Sequence, residues 1–200
     1  MTGAPGSGTG PRGETWRDPL SILFIGNSHT YCNDLPALVR RLAEDDGYRC
    51  RVAMLARADM YLDQHADGKE ARFNILYGDY DYVVLQEHAH PFGPEERFTD
   101  GAEKLVGMIR EAGAVPVIYE CWARSDEPEK QKTMNEVHRR VAEKTGALLA
   151  SVGEYWWKYQ EEHPDVRMYA KDGEHATSAG SELAATVIWD TIRAKEEKCL

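Results

Sequence analysis

No run of about 18 consecutive apolar residues occurs in this 200-residue chain, so no membrane-spanning helix is expected. Cysteine is scarce: Cys32, Cys50, Cys121 and Cys199 stand far apart, with no Cys-x-x-Cys pair and no Cys/His zinc spacing. That pattern excludes a disulfide scaffold and a structural zinc module, and fits thiols that pack or stay free in a reducing compartment. Positive charge is in short supply as well. With 24 Lys and Arg against 34 Asp and Glu the formal net charge is −10, which argues against a broad footprint for nucleic acid or an anionic membrane. The opening MTGAPGSGTGPRGETWRDP has no apolar core, so it is no secretory signal, and a cytoplasmic protein is expected. Its Gly, Pro, Ser and Thr predict a flexible segment over 1–19, followed by a single domain over 20–200.

What is present is globular. Hydrophobic residues make up 42% and charged residues 29%, and 200 residues suffice to bury most of one domain's apolar surface. Short apolar runs predict strands at 22–25, 50–55, 80–86, 114–120 and 147–151. Between them lie helical patterns at 35–45, around 61–76, and at 99–111, 129–144 and 178–195. Asn33 or Asp34 is placed to cap the first helix, with Pro36 in its first turn. In the last, Leu183, Val187, Ile188 and Ile192 share one face. Strand and helix alternating five times predict a three-layer α/β fold with a mostly parallel five-stranded sheet.

Sheets of this kind place their sites at the carboxyl ends of the strands. There the sequence offers Gly26-Asn27-Ser28-His29 after the first strand and Ala58-Asp59 after the second. After the third come Gln86-Glu87-His88-Ala89-His90, and after the fourth Glu120-Cys121-Trp122. Just before the last helix stands Asp172-Gly173-Glu174-His175. Taken alone, Gly-Asn-Ser and Asp-Gly are ordinary turn residues. Taken together, a serine, a histidine and a carboxylate at one sheet edge supply a nucleophile, a base and an orienting group. A carboxamide such as that of Gln86 would be a donor for a developing oxyanion.

Gly26-Asn27-Ser28 early and Asp172-Gly173-Glu174-His175 late resemble the first and last conserved blocks of the SGNH (GDSL-like) hydrolases. The resemblance spans roughly 20–195. It implies a flavodoxin-like sheet and ester hydrolysis through an acyl-serine, with Ser28 as nucleophile, His175 as base and Asp172 orienting the imidazole. The Ser28 N–H would be the first oxyanion donor, and no cofactor is implied. The middle of the chain departs from the pattern: Ala58-Asp59 stands where the family has a glycine, and Gln86-Glu87 where it has Gly-x-Asn-Asp. Asp59 N–H and the Gln86 amide are the matching candidates for the other oxyanion donors. The Gln-Glu version also resembles the corresponding block of carbohydrate acetylesterases.

Each candidate has a plainer reading. Gln86 either donates to the oxyanion or satisfies loop backbone, and Glu87 reads either as a partner that supports the site from behind or, the favoured reading, as a charged residue leaving the sheet. Asn27, His29, His88, His90 and Trp122 are expected to line the substrate pocket. The His88-x-His90 spacing, with His29 and His65 to hand, also suggests metal ligands, although no Asp or Cys completes a signature. The aromatic group Tyr155, Trp156, Trp157 and Tyr159 reads as core packing or an interface rather than a sugar-stacking surface. A small acyl group, acetyl first, with a carbohydrate among the candidate carriers, is expected from the short polar loops and the lack of a long apolar insertion. The partner expected is a small-molecule ester, while oligomeric state leaves no signature. Two rival functions stay open: a catalytically inactive binding domain on this fold, and a metal-dependent hydrolase built on His88 and His90.

Overall fold

The computed structural model describes residues 17–198. At its centre is β1 (Arg17–Gly26), whose Ile22, Leu23, Phe24 and Ile25 are fully buried although consecutive. Side chains alternate across a strand, so such a run needs cover on both faces. Ile22 and Phe24 pack with α2 (Leu35–Asp45) and α8 (Ser178–Glu196). Leu23 and Ile25 pack with α3 (Leu62–Asp67), α4 (Lys69–Tyr77), α5 (Glu95–Glu111) and α6 (Lys130–Thr145). Each fully buried Ile, Leu or Phe contributes roughly 1.5–3 kcal/mol of transfer free energy.

Besides β1, the sheet contains β2 (Tyr48–Ala56), β3 (Tyr82–Gln86), β4 (Val115–Tyr119) and β5 (Leu148–Ala150), in the order β2-β1-β3-β4-β5. Every neighbouring pair is parallel. The chain steps outward from β1 to β2 and then crosses back to β3 on the other side. The direction of winding therefore reverses between β1 and β3, which is where ligands collect in sheets of this order. The carboxyl ends at that crevice are Gly26 and Gln86.

Several boundaries differ from expectation. β1 begins at Arg17, with a register irregularity before Leu20, so strand replaces the last part of the expected flexible segment; 1–16 and Cys199 lie outside the described residues. The helical stretch near 61–76 is two helices, because Gly68 is extended (φ −83°, ψ 139°). α5 starts at Glu95, where Pro94 precedes two acidic residues that favour a helix N-terminus. Neither Asn33 nor Asp34 caps α2 through its side chain; both adopt left-handed backbone. Two further helices, α1 (Ser28–Tyr31) and α7 (Val152–Glu162), follow β1 and β5. In α7 Trp156 is fully buried while Tyr155 is exposed. Among the described residues no helix is long and apolar enough to cross a membrane.

Candidate active site

Glycine ends β1 for a steric reason. A Cβ on Gly26 would sit 2.5 Å from Gln86 Oε1 and against Thr30 Oγ1. The backbone then enters α1, with Asn27 as its cap. Asn27 Oδ1 accepts from the His29 N–H (3.2 Å), its Nδ2 donates to the Met60 carbonyl (3.1 Å), and its N–H donates to Gln86 Oε1 (2.9 Å). From the other face the buried His65 Nε2 donates to the Gly26 carbonyl (2.8 Å). Held on all sides, the turn presents Ser28 partly exposed as the first residue of α1.

The second half of the site is the loop before α8. Gly173 takes a left-handed conformation (φ +70°) that closes a turn, with the Ala170 N–H donating to the His175 carbonyl (2.8 Å). Thr177 then caps α8 through its side chain. The segment after β4 grips this loop at three points. Trp122 Nε1 donates to the Glu174 carbonyl (2.8 Å), Arg124 pairs with the Glu174 carboxylate (2.9 Å), and the Ser125 N–H donates to the Gly173 carbonyl (2.9 Å). Asn33 closes the ring, its Nδ2 donating to the Ala176 carbonyl (3.0 Å) and to Ser181 Oγ (2.9 Å).

These restraints bring three side chains into line. The Ser28 hydroxyl lies 2.8 Å from His175 Nε2, and His175 Nδ1 lies 2.8 Å from Asp172 Oδ2. Asp172 Oδ1 accepts from the N–H groups of Glu174 and His175, both at 3.0 Å. Partial burial alone would raise the Asp172 pKa. The Glu174 N–H, the His175 side chain and the His175 N–H outweigh it together and hold the carboxyl at about 2. An ionised Asp172 accepts the Nδ1–H, which leaves the Nε2 lone pair turned to the serine hydroxyl.

His29 stacks on His175 (ring centroids 5.0 Å, 25° between planes), with His90 at 5.2 Å and Trp122 at 5.3 Å from its ring. Burial first, then the neighbouring His90, His175 and His88, keeps the His29 pKa well below the usual histidine value. His90 is lowered to about 4, chiefly by burial and then by Arg124. At neutral pH both rings carry no charge beside His175.

Some candidates occupy other places than expected. Trp122 is 1% exposed and stacks on Trp156 (3.9 Å, 11°), so it supports the histidine loop and does not line a pocket. Gln86 is 0% exposed. Its Oε1 serves the Asn27 N–H and the Thr30 hydroxyl (2.8 Å), and its amide nitrogen donates to the Glu87 carbonyl. The carboxamide is thereby committed to the protein's own backbone and to Thr30. Glu87 does not leave the sheet for solvent. It is buried, accepts from the His88 and Leu62 N–H groups (2.7 and 3.3 Å), and its pKa is raised by burial to about 7.

His88 stacks on Tyr61 (4.2 Å) and donates through Nδ1 to the Pro91 carbonyl (3.1 Å). Among the described residues no three His, Cys, Asp or Glu side chains are grouped to hold a metal ion. Asp59 has a left-handed backbone (φ 57°) and a side chain 96% exposed. Glycine is favoured at such a position and Asp is among the better tolerated substitutes. The loop that carries it is tied to Asn27 through the Met60 carbonyl. The roles of Arg124, Glu174 and Asn33 as ties were not foreseen: Glu174 stands inside the Asp172–His175 segment, Arg124 two residues beyond Trp122, and Asn33 was expected only as a helix cap.

No family model and no curated protein matches the sequence. Among solved structures, a protein of Slackia heliotrinireducens assigned to the SGNH hydrolases is 27% identical, with a TM-score of 0.75, over 87% of this chain and 99% of its own. A carbohydrate esterase of family 3 from Talaromyces cellulolyticus aligns with a TM-score of 0.70 at 12% identity, over 90% of this chain and 99% of its own. The acetyl xylan esterase AlAXEase aligns at 0.67 and 12%, over 86% and 100%. In fold the chain is similar to these SGNH (GDSL-like) hydrolases and esterases, a likeness that supports a carboxylic ester hydrolase.

Proposed function

We propose that the protein is a serine ester hydrolase that works through an acyl-serine intermediate and prefers small acyl groups, acetyl first. The observation that carries this reading is the unbroken line from Asp172 Oδ2 through His175 to Ser28 Oγ, with 2.8 Å at each junction. Ser28 Oγ attacks the ester carbonyl carbon while its proton passes to His175 Nε2, and Asp172 stabilises the imidazolium that results. The oxyanion is met by the Ser28 N–H and by the Asp59 N–H from the loop after β2. Gln86 acts one step back, fixing the Asn27 N–H and with it the backbone that aims the Ser28 donor. His175 then gives its proton to the leaving alkoxide as the carbon–oxygen bond breaks. Water repeats the cycle on the acyl-serine, releasing the acid and restoring Ser28. Acid–base catalysis of this sort is worth about 10²–10⁴ in rate, and one oxyanion donor about 10²–10³.

Acetyl preference draws support from the acetyl xylan esterase among the structural neighbours and from the short polar loops around Ser28. The test is the intact mass after treatment with a small fluorophosphonate, on wild type, Ser28→Ala and His175→Ala. One adduct on wild type and none on either variant is expected. A folded wild type that takes no adduct refutes the reading.

A further inference from the structure

The loop between β2 and α3 carries the Asp59 N–H that the proposed mechanism sets at the oxyanion. Its start is fixed to the sheet, the Arg57 N–H donating to the Gly26 carbonyl (3.1 Å). Asp59 then takes left-handed backbone (φ 57°), a conformation that costs a side chain more than it costs glycine, so the turn needs support from its surroundings. Two ties lie on either side of it. Asn27 Nδ2 donates to the Met60 carbonyl (3.1 Å). The Tyr61 ring stacks on His88 (4.2 Å) and has the Arg97 guanidinium 3.6 Å from its centre, Arg97 being held in turn by Asp63 (2.6 Å). A third tie is the buried Glu87. Its Oε2 accepts from the Leu62 N–H (3.3 Å), which opens α3 and has no acceptor within the helix, while its Oε1 accepts from the His88 N–H (2.7 Å). One carboxylate thus joins the end of β3 to the end of the Asp59 loop.

We infer that Glu87 is a positioning residue for oxyanion stabilisation: its carboxylate holds the loop after β2 so that the Asp59 N–H meets the charge developing on the ester oxygen. The inference rests on the ester-hydrolase reading above. A carboxylate suits this post because the two N–H groups meet different oxygens. An apolar side chain would leave both donors unsatisfied, and a carboxamide would turn its own NH2 toward one of them. The effect on rate follows from geometry. An oxyanion donor works only when it is aimed at the place the charge will occupy, and a misplacement of about 1 Å costs on the order of 10²-fold. Glu87 therefore acts through the Asp59 backbone, on the opposite end of the loop from the Arg57–Gly26 bond, and its loss frees the end of the loop that the sheet does not hold.

Glu87→Gln keeps the size of the side chain and removes one of the two acceptors. Burial raises the Glu87 pKa to about 7, so the folded site already takes the neutral form of this side chain, and the variant is expected to fold. Hydrolysis of p-nitrophenyl acetate is measured on wild type, Glu87→Gln, Asp59→Gly and the double variant. Acylation and deacylation both pass through an oxyanion, and the donor acts there rather than on the bound ester. Glu87→Gln should therefore lower kcat by about tenfold or more with KM within about twofold. Glycine adopts the left-handed turn without a side-chain penalty and needs the tie less. In the Asp59→Gly background the loss caused by Glu87→Gln should accordingly shrink by about threefold or more. Should Glu87→Gln not fold, Glu87→Asp, which keeps the charge on a shorter stem, carries the same test. An unchanged kcat in the folded variant, a rise in KM at constant kcat, or an equal loss in both backgrounds overturns the inference. Fluorophosphonate labelling of wild-type Ser28 would then leave the hydrolase reading intact, whereas a wild type that does not label overturns both.

Discussion

Gln86 separates two accounts of the sheet's carboxyl edge, and replacing it with methionine distinguishes them. Met keeps the approximate volume of Gln but offers no strong acceptor. Two donors would then lose their partner in a site with no exposure: the Asn27 N–H, at 2.9 Å, and the Thr30 hydroxyl, at 2.8 Å. A buried donor left unsatisfied costs about 1–3 kcal/mol, and the hydroxyl recovers part of its share by rotating. The sum is a destabilisation of about 2–5 kcal/mol, read by urea denaturation as a lower midpoint at unchanged slope. Because the amide nitrogen is turned to the Glu87 carbonyl, reactivity of the folded variant toward fluorophosphonate should fall by no more than about tenfold. An oxyanion donor would behave in the opposite way, losing about 10²–10³ in rate with little change in stability. A hundredfold loss of labelling rate with less than about 1 kcal/mol of destabilisation would refute this account of Gln86.

Gly26→Ala places a methyl group against Thr30 and Gln86; overpacking of this kind costs about 1–3 kcal/mol, and calorimetry should show a lower Tm along with slower Ser28 labelling. Asp172→Asn should lower kcat by about 10²–10⁴, since the imidazole loses its ionised partner. Asp172 has a folded pKa of about 2 against an ordinary 3.8, so its stabilising contribution is complete above about pH 4 and lost as pH falls toward 2. The variant should therefore show a flatter acid limb in a stability–pH profile, modestly so because the side chain is half exposed. Glu120 works in the opposite direction. Burial raises its pKa from 4.5 to about 7, so the folded state holds a proton that the unfolded state releases between those values, and stability falls as pH rises through 7. Glu120→Gln should accordingly gain on wild type by on the order of 1–3 kcal/mol between pH 5 and pH 8; equal differences at the two pH values would count against it.

The fold was legible because its signals are local. Consecutive apolar residues such as Ile22 to Ile25, once in a strand, can be buried only with cover on both faces, and that requirement implies the layers. Asp172 and His175 were legible for the same reason, since a turn of three residues joins them and their contact needs no distant partner. The start of α5 was legible too, in Pro94 followed by Glu95 and Glu96, and was missed in favour of apolar spacing. Other features depend on which way a side chain turns. Nothing in the string Leu85-Gln86-Glu87 says that the amide faces backward onto Asn27, or that the carboxylate bends inward to the Leu62 N–H. Trp122 is a candidate pocket residue by its place just after β4, but its stacking partner Trp156 stands 34 positions away and becomes its neighbour only in the finished fold.

The contact on which the proposed chemistry turns is the long-range one. Ser28 and His175 are 147 residues apart in sequence, and neither segment is regular structure over its whole length. Their separation is set by side chains of modest size acting as ties. Asn33 binds the segment after α1 to Ala176 and Ser181, and Trp122 and Arg124 bind the histidine loop to the end of β4. Removing one tie leaves the Asp172–His175 bond untouched, because that bond is local. It lets the loop drift relative to Ser28, and a drift of about 1 Å is enough to cost on the order of 10²-fold in rate. Asn33→Ala should thus lower kcat for ester cleavage while leaving the depressed Asp172 pKa in place. Asn33→Gly should restore the left-handed backbone without restoring the rate, because glycine relieves strain at φ 55° but cannot donate to Ala176. Full activity in Asn33→Gly would mean that backbone conformation, not the tie, sets the Ser28–His175 distance.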